Sequence, residues 1–415
     1  QDTAEAHGEP LGDDEVRDTK RFYGWPADAQ FLVPDGVYQH FADGIGQRGA
    51  AEHAQWRALF ARYRESYPEF AALFEAMQRR ELPIGWDQAI PKFPADPNGI
   101  ASRDSSGRIE NAIAQHLPWL MGGAADLAPS TKTRLTFTDA GDFQPDNHRG
   151  RNLHFGVREH AMGAALNGMA LAKLRPFGSG FLIFSDYMRN PIRLSAIMQL
   201  PVLYIFTHDS IGVGEDGPTH QPVEQLAGLR AVPGLITLRP CDANEVAESW
   251  RTVLQLKHQP ACLILSRQPL PTLDRDRFAP ATGVARGAYV LADLGGAPRV
   301  ILIGTGSEVS LCVSAAEQLA AEGIATRVVS MPSWELFEQQ DEVYQEQVLP
   351  EAIVARVAVE QAATLGWARY VGRRGAIVGM HTFGASAPLK GLLTKFGFTP
   401  DNVVTIAKEQ IAKHG

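Results

Sequence analysis

Apolar residues follow a helical spacing between about residues 34 and 82. They recur at intervals of three and four positions, at Trp56, Leu59, Phe60, Tyr63, Phe70, Leu73, Phe74 and Met77. This spacing gathers apolar side chains on one face of a helix and predicts an amphipathic helical arm lying on a core. The segment PKFPADPNG (residues 91–99) ends the pattern, because clusters of proline and glycine break helices.

Short apolar runs alternate with helical segments between residues 91 and 285. The runs VLYIFTH, LITLRP and ACLILSR are apolar almost throughout, which is typical of strands buried on both faces. Asp242 or Asn244 is expected to cap the helix that continues through Val246, Trp250 and Leu254. The alternation predicts a parallel sheet covered by helices on both faces.

The alternation resumes after the proline-containing link RQPLPTLDRDRFAPATG and predicts a second, smaller α/β domain. Its GTGSEV segment has Val309 where a dinucleotide fingerprint has a third glycine, so we interpret it as a tight turn. The predicted fold class is α/β, with two successive three-layer αβα domains that have mainly parallel sheets, preceded by a helical N-terminal arm. The three predicted regions are residues 1–90, 91–285 and 286–415.

Composition narrows the range of partners. The chain has 415 residues, of which 45% are hydrophobic and 21% charged, and its formal net charge is −8. The negative charge argues against nucleic acid or an anionic membrane as a partner, and no apolar run approaches the length of a membrane span. Cys241, Cys262 and Cys312 are an odd number without CxxC spacing, so we expect free thiols in a reducing cytoplasm.

Four polar or aromatic segments follow predicted strands. They are GGAADLAPS (122–130), FGVREHAMG (155–163), FLIFSDYMRN (181–190) and HDSIGVGEDGPTHQP (208–222). Ligands collect at the carboxyl ends of strands in open parallel sheets, so these segments are the candidate site. Two histidines with carboxylates also suggest a metal site, but their spacing differs from the close helical pairing of many zinc sites, and we predict no metal ligands in these segments.

The order of six segments resembles that of the transketolase family. They are GGAADLAPS, GVREHAMG, HDSIGVGEDGPTHQPVEQL, LRPCDANE, LILSRQ and GTGSEV, and together they extend over nearly the whole chain. The resemblance implies thiamin diphosphate with Mg²⁺ or Ca²⁺, sugar phosphates as substrates, and a homodimer. The implied reaction is the reversible transfer of a two-carbon ketol group from a ketose phosphate such as xylulose 5-phosphate to an aldose phosphate such as ribose 5-phosphate.

The resemblance also implies which residues hold the cofactor. Glu159 resembles the glutamate that bonds the aminopyrimidine ring and relays a proton through it, a role that suits a carboxyl group in an apolar enclosure. The other implied cofactor residues are His7, Asp126, Phe181, Phe184 and Tyr187. Read without the motif, Glu159 is a first-turn glutamate facing a helix dipole, and the aromatic residues are ordinary core.

A second implied set binds the sugar phosphate. Its members are Arg103, Ser130, His208, Asp216, His220 and Arg267. The two arginines match the family's phosphate ligands, with the Ser130 hydroxyl beside them. Asp216 resembles the residue that reads an acceptor hydroxyl, and His208 a ligand of the sugar phosphate. His220 resembles a ligand of donor hydroxyls, and with Glu159 and His7 it forms the implied catalytic set.

One family motif is missing from the sequence. The Gly-Asp-Gly segment that holds the diphosphate through a divalent cation does not occur, and the chain begins QDTAEAHGEPLG without a methionine. We therefore expect residues 1–90 to be a remnant of the diphosphate-binding domain with a helical linker, and the metal ligands to lie on the missing part. A chain of this kind is expected to be inactive alone and to need a partner that supplies the diphosphate-binding domain.

Two other functions are compatible with the motifs. A related thiamin enzyme, deoxyxylulose-phosphate synthase or formaldehyde transketolase, would share part of the loop at residues 208–222, although THQPVEQL and DLAPS fit transketolase better. A non-catalytic, partner-binding fragment is the third interpretation. The complete set of Glu159, His208, Asp216, His220 and Arg267 argues against it.

Overall fold

The computed structural model describes residues 4–414, in two compact units that divide between Ala72 and Leu73. The first unit is helical. It contains the short 3₁₀ helix Ala4–His7 followed by α1 (Asp13–Phe22), α2 (Val37–Phe41) and α3 (Gln47–Ser66), and a fourth helix, α4 (Pro68–Gln78), crosses the division. Three acidic residues open α1 and two basic residues close it, which suits the helix dipole.

The helices of the predicted arm are present, but the apolar face of α3 is not buried. No residue of α3 is buried, and Trp56 is 49% exposed. The Trp56 ring instead stacks on Phe60, which lies one turn further along the same helix, with ring centroids 5.3 Å apart. The prediction that this stripe lies on a core is therefore wrong for α3, because its aromatic contacts run along its own surface.

The second unit begins with an α/β domain built on a six-stranded sheet. Its elements are β1 (Asp96–Ala101), α5 (Ser102–His116), β2 (Leu120–Ala124), α6 (Ala128–Thr131), β3 (Asn152–His154), α7 (Glu159–Leu171), β4 (Arg175–Phe181), α8 (Ser185–Ile197), β5 (Leu203–Thr207), α9 (Gln225–Arg230), β6 (Ile236–Leu238), α10 (Ala243–Gln255), β7 (Ala261–Leu265) and β8 (Pro269–Thr272). The sheet has the order β3-β2-β4-β5-β7-β6, and every neighbouring pair is parallel.

Buried strands and one helix cap agree with the sequence pattern. The runs VLYIFTH, LITLRP and ACLILSR contain β5, β6 and β7, all completely buried. Leu203 and Ile205 pack into one core cluster while Tyr204 and Phe206 pack into another, because successive side chains of a strand point to opposite faces. The carboxylate of Asp242 accepts the backbone N–H of Glu245 at 2.8 Å and caps α10.

A smaller α/β domain follows. Its elements are β9 (Tyr289–Leu294), β10 (Val300–Gly304), α11 (Glu308–Ala321), β11 (Thr326–Ser330), α12 (Trp334–Glu338), α13 (Glu342–Val348), β12 (Arg356–Ala363), α14 (Ala368–Val371), β13 (Ala376–Met380), α15 (Leu389–Phe396) and α16 (Pro400–His414). The five-stranded sheet has the order β13-β12-β10-β11-β9, in which only β9 pairs antiparallel. Two successive αβα domains with mainly parallel sheets confirm the predicted fold class.

The two segments that the sequence pattern predicted to be linkers contain the strands of a small sheet. Strand β1 starts inside PKFPADPNG, and β8 lies inside the segment interpreted as a proline-containing link. The two strands pair antiparallel, with Ala101 opposite Pro269. Both strands contain proline, which is tolerated here because each has only one neighbouring strand and needs few backbone donors.

Candidate functional site

The candidate site lies at the carboxyl edge of the six-stranded sheet. Because all six strands are parallel, their carboxyl ends meet along one edge. Strand β4 ends at Phe181, β5 ends at Thr207 just before His208, and β7 ends at Leu265 just before the segment that carries Arg267. The predicted site segments therefore leave the sheet side by side.

Aromatic and imidazole rings form a cluster at this edge. The ring of Phe181 lies 3.7 Å from that of His208 and 5.9 Å from that of Phe184, measured between centroids. Phe184 meets His220 edge to face at 5.7 Å and contacts Tyr187 at 6.1 Å. The structure thus brings five of the predicted residues together, and we call them the aromatic cluster.

His208 is held in an unusual conformation within this cluster. Its backbone is left-handed, with φ of 60°, and its side chain is buried, with 3% of the residue exposed. The Nδ1 atom is 2.7 Å from the hydroxyl of Thr207. Burial lowers the pKa of His208 to about 3, and the positive charges of Arg103, Arg267 and His220 contribute further. The imidazole is therefore neutral at physiological pH.

Two arginines line a cavity beside the cluster. Arg103 and Arg267 share a space of about 400 Å³ with Asp216, the glycine-rich turn at residues 212–214, and Pro388 and Leu389 of the second domain. Burial lowers the pKa of the Arg103 guanidinium; the adjacent Asp104 opposes this shift, and the charge of Arg267 adds to it. Two cationic forks directed into one cavity are suited to an anionic group such as a phosphate.

Pairing of β1 with β8 explains why these arginines meet. The backbone N–H of Arg103 donates to Ser266 O at 3.4 Å, and the hydroxyls of Ser102 and Ser266 are 3.0 Å apart. The guanidinium of Arg103 donates to the backbone oxygen of Ser130 at 2.9 Å, and that of Arg267 donates to Val213 O at 2.7 Å. Ser130 thus meets Arg103 through its main chain, where its hydroxyl was expected.

Glu159 opens α7 and is half-buried. One turn further on, a Cβ added at Gly163 would lie 2.7 Å from Pro191 Cγ, so the backbone of α7 approaches α8 closely. The first turn of α8 contains Tyr187, a member of the aromatic cluster, and α7 starts at the same edge of the sheet because it follows the parallel strand β3. Asp126 follows β2 at that edge in a left-handed conformation and is exposed.

His7 belongs to the first unit, where it ends the 3₁₀ helix Ala4–His7 and is exposed. Within residues 4–414, the His, Cys, Asp and Glu side chains that the structure describes form no group of three that could hold a metal ion. No helix in the same range is both long and apolar enough to cross a bilayer. The three cysteines are buried free thiols.

Sequence reasoning missed the contribution of the second domain. The segment at residues 384–389 follows β13 and supplies two lining residues of the arginine cavity, Pro388 and Leu389. The Ser386 hydroxyl donates to the backbone oxygen of Glu215 at 2.6 Å. A signal for this segment existed, since it lies at the carboxyl end of a parallel strand, the same rule that selected the loops of the first domain.

A buried ion network also joins the two domains next to His208. Arg239, which follows β6, donates through Nε to the Asp209 carboxylate at 2.9 Å and through Nη1 to Glu308. Glu308 opens α11 and is itself the glutamate of the GTGSEV segment. A Cβ added at Gly306 of that turn would lie 2.6 Å from the Arg239 guanidinium carbon, so the turn makes room for an arginine.

The fold and the site define the chain as an α/β protein that has cationic and aromatic side chains at one sheet edge. Comparison with known families is more specific. Models for "Transketolase, thiamine diphosphate binding domain", "Transketolase, pyrimidine binding domain" and "Transketolase-like TK C-terminal domain" match residues 1–83, 98–272 and 287–399. The chain belongs to the transketolase family.

Three relatives show the degree of similarity. The transketolase of Halalkalibacterium halodurans is 50% identical over 97% of this chain and 60% of its own length, and the chloroplastic transketolase of Craterostigma plantagineum is 46% identical over 98% and 78%. A crystal structure of Pichia stipitis transketolase in complex with sedoheptulose 7-phosphate is 36% identical, with a TM-score of 0.91 over 98% of this chain and 60% of that one. This chain thus spans 60% of the length of the Halalkalibacterium relative.

The match at residues 1–83 corrects an expectation. Most of the diphosphate-binding domain is expected to be missing because the chain has no Gly-Asp-Gly motif, with residues 1–90 as a remnant, yet the model for that domain matches residues 1–83 and does not support its being missing. The match to residues 1–83 therefore does not require the Gly-Asp-Gly motif. The expectations that the chain is inactive alone and needs a separate diphosphate-binding partner rested on the missing domain, and they are not borne out.

Proposed function

We propose that the chain carries transketolase chemistry. A two-carbon ketol group passes from a ketose phosphate, such as xylulose 5-phosphate, to the aldehyde carbon of an aldose phosphate, such as ribose 5-phosphate. One carbon–carbon bond breaks and one forms, so the transfer needs no oxidant. The observation that supports it best is the convergence of the aromatic cluster with the cavity of Arg103, Asp216 and Arg267 at one sheet edge.

The aromatic cluster fits one half of thiamin diphosphate. A flat, uncharged aminopyrimidine ring suits a surface of aromatic rings, which Phe181, Phe184 and Tyr187 provide in consecutive contact. We assign Glu159 to the edge of that ring, where its carboxyl group holds a proton at a ring nitrogen, and Asp126 and His7 to the cofactor's surroundings. When bound, thiamin diphosphate supplies the electron sink for the carbon–carbon bond. Its cation is proposed to be Mg²⁺ or Ca²⁺, which prefer oxygen ligands.

The arginine cavity is assigned to the substrate phosphate. Arg103 and Arg267 pair with the dianion, and their separate fixed positions orient the sugar between them and the aromatic cluster. His208, neutral because of its low pKa, acts as a hydrogen-bonding ligand rather than as a cation. Asp216 accepts a hydrogen bond from a hydroxyl of the acceptor sugar, and His220 binds hydroxyls of the donor sugar near the reacting carbons. Ser130 adds a polar group beside Arg103.

We divide the chain into a region related to the diphosphate-binding domain (1–90), a pyrimidine-binding domain (91–285) and a C-terminal α/β domain (286–415).

A homodimer is the proposed assembly. Exposed apolar side chains on α7 and α8 support it: Leu171, Tyr187, Leu194 and Ile197. Light scattering should give twice the chain mass. The three buried free thiols support a reducing cytoplasm.

The experiment supplies the purified protein with thiamin diphosphate, Mg²⁺ and xylulose 5-phosphate, and compares three acceptors: ribose 5-phosphate, glyceraldehyde 3-phosphate and formaldehyde. The glyceraldehyde 3-phosphate carries an isotopic label, because ketol transfer to it regenerates xylulose 5-phosphate and is visible only as exchange of the label. Ketol transfer to the aldose phosphates supports the proposal, and a strong preference for formaldehyde favours a formaldehyde transketolase. Transfer should fall at least a hundredfold in Glu159→Ala and stay unchanged in Glu351→Ala, which removes an exposed carboxylate of the second domain. No ketol transfer to any acceptor by the unaltered protein would refute the proposal.

A further inference from the structure

The loop that carries Asp216 is fastened to the second domain. We define the glycine loop as residues 211–217 and the strap as residues 384–389, which follow β13 and end at Leu389, the first residue of α15. The Ser386 hydroxyl donates to Glu215 O at 2.6 Å. The buried side chain of Gln221 donates to Gly214 O at 2.7 Å and to Ala385 O, in the strap, at 3.0 Å. Two hydrogen bonds therefore connect the strap with this region. One joins Ser386 to Glu215 within the glycine loop, and the other joins Ala385 to Gln221, which also bonds the loop at Gly214.

Close contact between the two segments leaves little room for movement. A Cβ added at Gly384 would lie 1.8 Å from the Gln221 side-chain oxygen, and one added at Gly217 would lie 3.1 Å from Ser386 Cβ. Gly217 also has φ of 78°, which favours glycine. The residues on both sides of Asp216 in the sequence therefore contact the strap. Glu215 accepts a hydrogen bond from it, and Gly217 packs against it.

The strap also forms part of the cavity wall. Pro388 and Leu389 line the cavity of about 400 Å³ together with Arg103, Asp216 and Arg267. The side chains of the first domain supply charge to this space, and the strap adds apolar surface opposite them. The second domain is therefore in position to affect both the shape of the cavity and the placement of Asp216.

We propose that the strap is a positioning element of the sugar-phosphate site, in which Ser386 and Gln221 fix the glycine loop so that the Asp216 carboxylate is held in place for a sugar hydroxyl. This inference rests on the proposed function, which it extends to the second domain. Asp216 is exposed on a loop with several glycines, and ordering such a loop upon binding costs conformational entropy. A loop that is already fixed avoids that cost, so the strap acts on substrate affinity.

Ser386→Ala is the test, because it removes one hydroxyl from an exposed position and should leave the fold intact. Thr382→Ala is the matched control: its hydroxyl bonds the backbone oxygen of Phe383, outside the glycine loop. The KM for ribose 5-phosphate should rise about threefold to tenfold in Ser386→Ala, as expected for one hydrogen bond, while kcat changes less than about twofold. Hydrogen exchange of backbone amides at residues 211–217 should become faster in Ser386→Ala and stay unchanged in Thr382→Ala.

A double-mutant cycle separates positioning from general stability. If Ser386 acts through Asp216, then Ser386→Ala should add little to the KM of Asp216→Ala. Equal effects in both backgrounds, or a fall in kcat with no change in KM, would overturn the proposal. If the unaltered protein transfers no ketol group, the proposed function fails. Calorimetric binding of ribose 5-phosphate and the amide exchange of the glycine loop would still test the strap, and unchanged values for both in Ser386→Ala would refute it.

Discussion

The imidazole of His208 lies against the ring of Phe181, with their centroids 3.7 Å apart, on a backbone held at φ of 60°. A polar loop thereby directs one of its histidines inward onto an aromatic surface, while the neighbouring arginines repel a proton on it. Both effects disfavour the imidazolium form. The environment therefore keeps the His208 imidazole neutral, although a histidine side chain can also carry a positive charge.

The low pKa of His208 predicts a specific dependence of stability on pH. The folded pKa, about 3, lies below the unfolded value of 6.5, so the stabilisation is complete above pH 6.5 and is lost as the pH falls toward 3. Relative to His208→Gln, the unaltered protein should lose about 1.4 kcal/mol of unfolding free energy per pH unit below 6.5. Denaturant unfolding at pH 7.5, 6.0 and 5.0 measures this. His116→Gln, at an exposed position, is the control, and parallel pH curves for His208→Gln and the unaltered protein would contradict the assignment.

The two arginines predict a selective loss of affinity for phosphorylated sugars. Arg267→Ala removes one cationic fork from the cavity and should raise the KM for ribose 5-phosphate about tenfold to a hundredfold, as for a charge-assisted hydrogen bond. The KM for glycolaldehyde, an acceptor without a phosphate, should change less than about twofold. Arg373→Ala, at an exposed position in the second domain, controls for net charge. Equal losses for both acceptors would show that Arg267 does not bind the phosphate.

The local sequence pattern predicted the strands that are buried on both faces and the helix cap that is formed by nearby residues. The β5 and β7 strands are apolar at every position except Thr207 because both faces of the sheet are covered, and a helix cap such as Asp242 depends on residues close to it in the sequence. The apolar stripe of α3 was misleading, because periodicity shows which side chains share a face and leaves open what covers that face. Proline made β1 and β8 look like linkers, although strands with one neighbour can contain it.

The candidate site was predictable only as far as strand ends. Parallel strands place their following loops at one edge, so His208 and Phe181 could be expected near each other. The position of Arg103 and Arg267 in one cavity depends on the contact between β1 and β8, and the contact of Ser386 with Glu215 depends on the arrangement of two domains. Neither has a local sequence signal, because such contacts are decided by packing between distant segments.

The network of Asp209, Arg239 and Glu308 predicts a large, non-additive effect on stability. All three side chains are almost completely buried, so removing the cation leaves two carboxylates without their partner. Arg239→Met should lower the unfolding free energy by about 3–5 kcal/mol. Neutralising both acids as well, with Asp209→Asn and Glu308→Gln, should recover part of that loss. Denaturant unfolding tests this, and a triple variant less stable than Arg239→Met would show that the charges do not act as a unit.

Glu110 predicts a stabilising substitution. This residue of α5 is completely buried, and neither carboxyl oxygen has a hydrogen-bond partner among the described residues. Burial raises its pKa well above the usual range, so the folded protein holds it protonated. Because the unfolded chain ionises above pH 4.5, the unaltered protein loses stability as the pH rises from there toward the folded pKa.

Glu110→Leu should therefore raise the unfolding free energy by about 1–3 kcal/mol at pH 8, the cost of an unpaired buried polar group. The gain should be smaller at pH 4.5, where the carboxyl group is largely protonated in both states. Glu409→Gln, which removes an exposed carboxylate from α16, should show no such pH dependence. Denaturant unfolding at both pH values measures the difference. A loss of stability in Glu110→Leu at pH 8 would contradict the prediction that the buried carboxyl group is unpaired and costs stability.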